Sequence, residues 1–342
     1  MQFSRVALAG LGHVVPDEVL PSIDLEARLA PLYHRLRLPE GRLELMSGIR
    51  ERRLFPPGTK PSDISIPSAE MAIERSGVDR RHVGTLIHGS VCRDFLEPAT
   101  ACRVHHELGL PAECLAFDLS NACLGVLTGA VQIATMIELG QIRAGVVVGT
   151  ELGRGLVENT IARLNADDSL TRETVKPWVA SLTIGSASAA MLLCDRELAP
   201  NAPAVVAATA RAATEHHGLC QSEGLAEVMQ TDSERLMRAG VDAGAETFER
   251  FLAQAGWRRE DVDKTICHQV GAAHRKMMLE RLRLSEERDY ATLEWLGNTG
   301  SAALPVSFAL AEQDGWLTPG DRVGLLGIGS GVNCLMMGVA WQ

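Results

Sequence analysis

The sequence lacks several features that mark whole classes of protein. No stretch reaches the roughly 18 uninterrupted apolar residues of a membrane-spanning helix. None of the 8 cysteines forms a CxxC pair, and the patterns GxxxxGK[ST] and HExxH do not occur. We therefore expect no membrane span, no P-loop, no metal site and reduced cysteine thiols.

Excess positive charge and a recognisable leader are also missing. The 342 residues carry 33 Lys and Arg against 43 Asp and Glu, a formal net charge of −10. This balance argues against a broad nucleic-acid surface. Residues 1–20 hold little positive charge and turn polar early, which favours a first strand over a signal peptide. With the cysteine usage, this predicts a cytoplasmic location.

Short aliphatic runs bounded by glycine or charge indicate buried strands. They alternate with helical stretches, which is typical of an α/β protein with parallel strands buried on both faces. The runs are RVALAGLG, GTLIHGSV, CLAFDLS, AGVVVGTE, AAMLLC, VVAATA, KTICHQV, RVGLLGIG and CLMMGVAW. Residues 152–182 and 214–240 are polar and lack strand signals, so we predict helix-like insertions that act as lids.

The chain also repeats itself. GVDRRHVGTLIHGSV at 77–91 aligns with GWRREDVDKTICHQV at 256–270, and QIRAGVVVGT at 141–150 aligns with GDRVGLLGIG at 320–329. Both alignments have an offset of 179 residues. We predict two similar halves, 1–197 and 198–342, packed as one body; the alternative is chance similarity between helix–turn–strand units.

Cys123 follows the strand CLAFDL and the residues Ser120 and Asn121, which are good N-cap types, and precedes a long Ala/Leu/Val-rich stretch. In the first turn of a helix, the helix dipole would stabilise the thiolate and lower the pKa of the thiol. Free backbone N–H groups there could hold an anionic oxygen. We predict a nucleophile; the alternative is an inert core cysteine.

His268 and Asn298 are polar residues, one at a strand end and one in a turn, and both are expected to lie near Cys123. His268 directly follows the strand KTIC, at a strand end where open α/β sheets bind ligands. Asn298 lies in GNTGSAALP, a turn whose Ala302 matches Cys123 in the repeat. Its amide would donate an N–H bond at any working pH, which suits an oxyanion binder. The alternatives are a structural histidine bonded to a carbonyl and a left-handed loop asparagine.

Taken together, these segments resemble the thiolase superfamily, and within it the ketosynthase III-type members. The resemblance rests on NACLGV, HQVGAAHRKM, GNTGSAALPVSFAL, GIRERR at 48–53 and the ending GIGSGVNCLMMGV. It covers essentially the whole chain. It implies a thiolase fold: two similar βαβαβ-type halves that form a five-layered α-β-α-β-α body with inserted lid segments, the nucleophile in the first half, and His and Asn in the second.

The stretch SVCRDFLEPATA at 90–101 is similar to the superfamily members that join two fatty acyl-CoA molecules head to head. In those enzymes the glutamate of the LEP segment, here Glu97, reaches across a homodimer into the partner's site. An interface or surface salt bridge is the alternative for Glu97. Initiating ketosynthases grip CoA with a Trp and an Arg shortly before the Gly-Ile-Arg segment, and Arg42 and Met46 occupy those positions here.

The resemblance implies an acyltransferase that condenses two fatty acyl-CoA thioesters without decarboxylation, as in long-chain olefin, β-lactone or ketone biosynthesis. Cys123 would carry the acyl group, His268 and Asn298 would stabilise an enolate, and Glu97 would be the base. The N–H groups of Cys123 and Gly331 would bind the oxyanion. We expect coenzyme A thioesters as substrates and no other cofactor, with fatty acyl-CoA, a second copy of the chain and downstream pathway enzymes as partners. Two alternatives stay open: a ketosynthase III-type enzyme that uses a malonyl thioester, and a non-enzymatic acyl-binding subunit.

Overall fold

A computed structural model describes residues 1–223 and 228–342. The strands of these residues are β1 Val6–Val14, β2 Glu18–Pro21, β3 Glu51–Leu54, β4 Val83–His88, β5 Leu115–Asp118, β6 Ala144–Glu151, β7 Ala187–Asp195, β8 Ala204–Ala212, β9 Cys220–Glu223, β10 Val228–Thr231, β11 Lys264–Cys267, β12 Arg322–Gly329 and β13 Asn333–Ala340.

The α-helices are α1 Ser22–Arg28, α2 Ala30–Leu36, α3 Arg42–Ser47, α4 Pro61–Ser76, α5 Thr100–Glu107, α6 Gly125–Glu138, α7 Arg154–Ala166, α8 Lys176–Val179, α9 Ser233–Ala255, α10 Ala272–Leu282, α11 Leu293–Leu296 and α12 Ala303–Gln313. Short 3₁₀ turns, among them Ala122–Leu124 and Gly300–Ala302, connect them. Across residues 1–223 and 228–342, no helix has the length and apolar character needed to cross a membrane.

One mixed sheet contains all nine predicted strands, in the order β11-β12-β13-β8-β1-β7-β6-β4-β5. β5, β4 and β6 run parallel, as do β11 and β12. The prediction of parallel strands is wrong for β1, β7, β8 and β13, which pair antiparallel. β13 runs antiparallel to β12 because only residues 330–332 connect the two strands, and a parallel crossover needs a dozen or more residues.

The repeat appears as a matching arrangement of elements in two parts of the sheet. The first part consists of β1, β7, β6, β4 and β5, and the second of β8, β13, β12 and β11. In the second part, β11, β12 and α12 take the places that β4, β6 and α6 take in the first. α6 and α12 lie between the two parts and contact strands of both, while α4 covers β1 and β7 and α9 covers β8 and β13. This is the expected five-layered α-β-α-β-α body. The boundary at 197/198 stays a prediction; it falls in the connection between β7 and β8.

Most of the first predicted lid segment, 152–182, is helical. Its α7 and α8 pack on α1 and α2 through an apolar cluster that includes Leu25, Leu29, Leu164 and Trp178. The prediction for 214–240 is wrong in part, because β9 and β10 form an antiparallel pair there and α9 begins only at Ser233. Residues 224–227 of that segment lie outside the described residues.

Candidate active site

Strand ends from both parts of the sheet meet around Cys123. The turn Ala122–Leu124 lies between β5 and α6 and packs against β12 and against the turn Gly300–Ala302, which closely follows Asn298. The end of β12 comes close to this turn, because a Cβ added at Gly329 would lie 3.6 Å from the backbone N of Cys123. On the far side of β12, β11 leads into His268, whose backbone N–H donates to Leu326 at 2.9 Å.

The backbone that carries Cys123 is held tightly. Ala122 has a φ of 45°, in the left-handed region that costs a non-glycine residue about 1 kcal/mol or more. Two residues beyond Cys123, Gly125 touches the chain at the end of β4: a Cβ on Gly125 would lie 2.2 Å from the carbonyl oxygen of Gly89. Only a residue without a side chain lets α6 begin at this distance.

Asn121 occupies the predicted N-cap position, but its side chain does not cap the turn, so that part of the prediction is wrong. Its Nδ2 donates to Oγ1 of Thr128 at 2.9 Å, and its Oδ1 accepts from Nδ2 of Asn333 at 3.3 Å. Asn121 therefore ties the Cys123 turn to the start of β13, in the second part of the sheet.

Burial dominates the protonation of Cys123. Together with smaller contributions from the nearby Glu151 carboxylate and from Cys220, it raises the pKa of the thiol to about 12. The expected lowering of this pKa by the helix terminus is wrong, because loss of water around the sulfur outweighs the favourable backbone N–H groups. The thiol is protonated near neutral pH and must lose its proton as it reacts.

Two backbone N–H groups, those of Cys123 and Ser330, lie within hydrogen-bond reach of the Cys123 sulfur and favour its thiolate. Ser330 stands one residue before the predicted donor, Gly331. Gly331 has a φ of 132°, which favours glycine, and turns the chain directly after Ser330. The role of the Gly331 N–H as an oxyanion donor stays a prediction, while the N–H of Ser330 lies within reach of the sulfur.

His268 is buried, with 4% of its surface exposed, and both ring nitrogens lack a hydrogen-bond partner. Burial, with a smaller contribution from His274, lowers the pKa of His268 to about 3, so the ring is neutral. A structural histidine bonded to a carbonyl would show one satisfied nitrogen, which this ring does not. Buried polar atoms without a partner are rare, and at a strand end they are available to a ligand.

Asn298 is also buried, with 8% of its surface exposed. Its Oδ1 accepts the backbone N–H of Gly300 at 3.0 Å, so the amide presents Nδ2 as a donor on the other side. Its backbone N–H donates to Thr183 and its carbonyl accepts from Gly185. Asn298 is not among the residues with positive φ, so the alternative of a left-handed loop asparagine does not apply.

Glu97 is exposed and lies on the loop between β4 and α5. Its neighbours Phe95 and Leu96 are exposed, Leu96 to 93%. Hydrogen bonds anchor the loop on both sides of this tip. The backbone N–H and the hydroxyl of Ser62 donate to the Asp94 carboxylate, and the backbone N–H of Asp94 donates to Oγ1 of Thr100 at 3.1 Å.

Glu151, at the end of β6, is a buried acid that the sequence analysis did not single out. Its carboxylate accepts the backbone N–H groups of Val91 and Cys92 and both the hydroxyl and the N–H of Ser301. The signal for it was available: AGVVVGTE ends an otherwise apolar strand on a charge. A carboxylate at such a strand end faces the site and not the solvent.

The site thus combines a half-buried thiol flanked by two N–H groups, a neutral imidazole with free nitrogens and an oriented amide donor. A covalent intermediate on sulfur and two separate places for a carbonyl oxygen are the chemistry that these groups can support.

Comparisons with known proteins agree with this arrangement. The profile described as "Thiolase, N-terminal domain" matches residues 57–179, and the profile described as "3-Oxoacyl-[acyl-carrier-protein (ACP)] synthase III C terminal" matches residues 252–341. An acyl-CoA:acyl-CoA alkyltransferase of Shewanella oneidensis is 44% identical, with 100% of both chains covered. A beta-ketoacyl-[acyl-carrier-protein] synthase III of Koribacter versatilis is only 25% identical, over 96% of this chain and 95% of the relative.

A crystal structure of Xanthomonas campestris OleA superposes with a TM-score of 0.95 at 34% identity, covering 99% of this chain and 100% of that one. That structure is a cysteine-to-serine variant of OleA with bound lauric acid and lauroyl-CoA. The superposition over the whole length means that both parts of the sheet and the inserted segments are shared.

Proposed function

Because the chain belongs to the acyl-CoA:acyl-CoA alkyltransferase family of the thiolase superfamily, we propose that it joins two fatty acyl-CoA thioesters by a Claisen condensation without decarboxylation. The observation that carries this proposal is the packing of the Cys123 turn against two segments. One is β12, whose neighbour β11 leads into His268, and the other is the turn Gly300–Ala302, which closely follows Asn298. Each of these three residues presents an unused reactive atom, namely a thiol, an unpartnered imidazole and an amide N–H.

In the first step, the sulfur of Cys123 attacks the carbonyl carbon of one acyl-CoA. The thiol proton passes to the neutral ring of His268 and then to the departing CoA sulfur, so that CoA leaves as a thiol. The developing oxyanion is held by the N–H groups of Cys123 and Ser330, which lie beside the sulfur. The product of this step is an acyl-Cys123 thioester.

In the second step, a second acyl-CoA places its thioester oxygen at His268 and Asn298. Removal of an α-proton gives an enolate, which these two N–H donors stabilise. The α-carbon attacks the acyl-Cys123 carbonyl, the carbon–sulfur bond breaks, and Cys123 regains a proton from the base. The product is a β-keto acyl-CoA.

Glu97 is the proposed base, acting in the site of a second copy of the chain. The support is its exposure: the Glu97 loop projects Phe95 and Leu96 outward, and β5, an edge strand of the large sheet, lies open beside it with an exposed Leu115. An open edge strand beside an apolar loop is suited to pairing with a second copy. A carboxylate that is exposed in one chain would become desolvated in the dimer, and desolvation strengthens a carboxylate as a base.

The test is to incubate the purified protein with lauroyl-CoA as its sole substrate. Mass spectrometry should find a lauroyl adduct on Cys123 and a condensed β-keto product, and Cys123→Ala should give neither. A ketosynthase III-type enzyme would form the adduct and condense only after a malonyl thioester is added. A non-enzymatic binding subunit would form no adduct, and either outcome would contradict the proposal.

A further inference from the structure

Glu151 is a buried carboxylate in contact with two segments that the proposed reaction needs. It is 5% exposed, at the end of β6. On one side, its Oε1 accepts the N–H of Val91 at 3.0 Å and its Oε2 accepts the N–H of Cys92 at 3.3 Å. These two residues begin the loop that carries Glu97 only five positions further on.

On the other side, Oε1 of Glu151 accepts the hydroxyl of Ser301 at 2.5 Å and its N–H at 3.3 Å. Gly300 packs directly on the carboxylate, since a Cβ there would lie 3.2 Å from Cδ of Glu151. The N–H of the same Gly300 donates to Oδ1 of Asn298. Glu151 is therefore separated from the amide of Asn298 by a single residue in contact with both.

No lysine or arginine pairs with Glu151 in the part of the chain that the structure describes. Its charge is balanced by three backbone N–H groups and one hydroxyl, and these four donors must keep their places to serve it. Buried charged acceptors bind such donors more strongly than neutral ones do, so the carboxylate fixes both segments relative to β6.

We propose that Glu151 is a positioning residue that fixes the Glu97 loop and the Asn298 turn together, so that one buried carboxylate sets the geometry of the enolate-forming step. In a dimer, the Glu97 loop serves the partner's site while the Asn298 turn serves its own. Glu151 thereby links the donor geometry of one site to the base geometry of the other. The effect of Glu151 on condensation rests on the proposed function, whereas the placement of Glu151 beside Cys123 does not.

Glu151→Gln tests the positioning role. The amide keeps the size of the side chain but replaces one acceptor oxygen with a donor that faces N–H groups. We expect condensation per acyl-enzyme to fall by about 10²-fold, as misplacement of about 1 Å does, while acylation of Cys123 changes by only a few-fold. Glu197→Gln, which neutralises an exposed carboxylate, is the control and should change neither rate.

A second readout needs no acyl-CoA. Since Glu151 raises the pKa of the Cys123 thiol, its neutralisation should lower that pKa and move the pH profile of Cys123 alkylation by iodoacetamide to lower pH. This shift depends on the charge of Glu151 and not on its hydrogen bonds, so it checks the placement of the carboxylate independently of the condensation rate. Ser301→Ala, which removes one donor and no charge, should slow condensation without moving the profile.

The outcomes separate the two proposals. If the wild-type protein is alkylated on Cys123 but never condenses acyl-CoA, the proposed function fails while the profile shift still tests the placement of Glu151. Unchanged condensation in both folded variants, Glu151→Gln and Ser301→Ala, would overturn the positioning role. An unchanged alkylation profile in Glu151→Gln would overturn the placement of its charge beside Cys123.

Discussion

Oδ1 of Asn298 accepts the backbone N–H of Gly300 at 3.0 Å, and this bond decides which way the amide faces. Nδ2 is left as the donor for substrate. Asn298→Asp keeps the oxygen that Gly300 needs but replaces the donor with a second acceptor. We expect acylation of Cys123 to persist and condensation to fall by about 10²- to 10³-fold, the usual effect of losing one oxyanion donor.

The measurement for Asn298→Asp is the ratio of acyl-enzyme to condensed product in a single turnover, read by mass spectrometry. Thr299→Ser, which keeps the turn next to Asn298, is the matched control. If Asn298→Asp lost acylation and condensation equally, Asn298 would serve the first step or the fold, and not the enolate.

Glu97→Ala removes the proposed base from an exposed loop, where the fold does not depend on it. Acyl-Cys123 should form at the normal rate, and condensation should fall by about 10²- to 10⁴-fold, the range that a general base contributes. Glu107→Ala, on the exposed end of α5, serves as the control for loss of a surface carboxylate. Normal condensation by Glu97→Ala would show that another group removes the α-proton.

The strands of the large sheet could be predicted from the sequence, whereas the two short strand pairs, β2 with β3 and β9 with β10, could not. Aliphatic runs such as AGVVVGTE are buried on both faces, and burial leaves a compositional trace. β2 and β3, with EVLP and ERRL, carry charged residues on half-exposed strands and have no such trace. Strand direction was also hidden, because β13 has the same apolar composition as a parallel strand and only its short connection to β12 makes it antiparallel.

At the site, residue types and order could be predicted, while electrostatics could not. The sequence shows that Cys123 precedes a helix, but not that the protein removes water from its sulfur and raises the pKa of the thiol. It shows a glycine-rich ending, but not that the backbone N–H of Ser330 lies within reach of that sulfur. These properties depend on segments about 200 residues apart in the chain, and a local pattern carries no information about them.

The raised pKa of Cys123 gives a pH dependence of its own. The thiol pKa lies at about 12, so the thiolate fraction should increase about tenfold for each pH unit up to that value. Alkylation of Cys123 by iodoacetamide should therefore still be rising at pH 10, with no plateau. Cys123→Ser provides the background from the other cysteines. A plateau near pH 8 would contradict the raised pKa of the Cys123 thiol.

His274, in the first turn of α10, gives a stability prediction. Burial lowers its pKa from 6.5 to about 4, so the native ring stays neutral while the unfolded ring takes up a proton below pH 6.5. Its contribution to stability is fully present above pH 6.5 and is lost as the pH falls towards 4. At pH 5 the loss amounts to about 2 kcal/mol.

Urea unfolding at pH 7.5 and at pH 5 measures this loss. His274→Gln has no proton to take up, so its free energy of unfolding should fall by about 2 kcal/mol less than that of the wild-type protein between the two pH values. His106→Gln, which changes an exposed histidine of α5, should keep the wild-type dependence. Equal pH dependence in His274→Gln and the wild-type protein would contradict the burial of a neutral ring.

Gly125, at the start of α6, decides how closely the Cys123 turn approaches β4. In an ordinary helix, a change from glycine to alanine stabilises by up to about 1 kcal/mol, because alanine has the higher helix propensity. At Gly125 the added Cβ would meet the carbonyl oxygen of Gly89 at 2.2 Å, and backbone cannot move aside as a flexible side chain can. Overpacking of this kind costs about 1–3 kcal/mol, so we expect Gly125→Ala to be destabilising despite its helical position.

Gly218→Ala is the matched control, since no atom lies within 4 Å of its added Cβ, and its free energy of unfolding should stay within about 0.5 kcal/mol of the wild-type value. Chemical unfolding of the two variants side by side measures the difference in their free energies of unfolding. A stabilised Gly125→Ala would mean that Gly125 and Gly89 are not in contact.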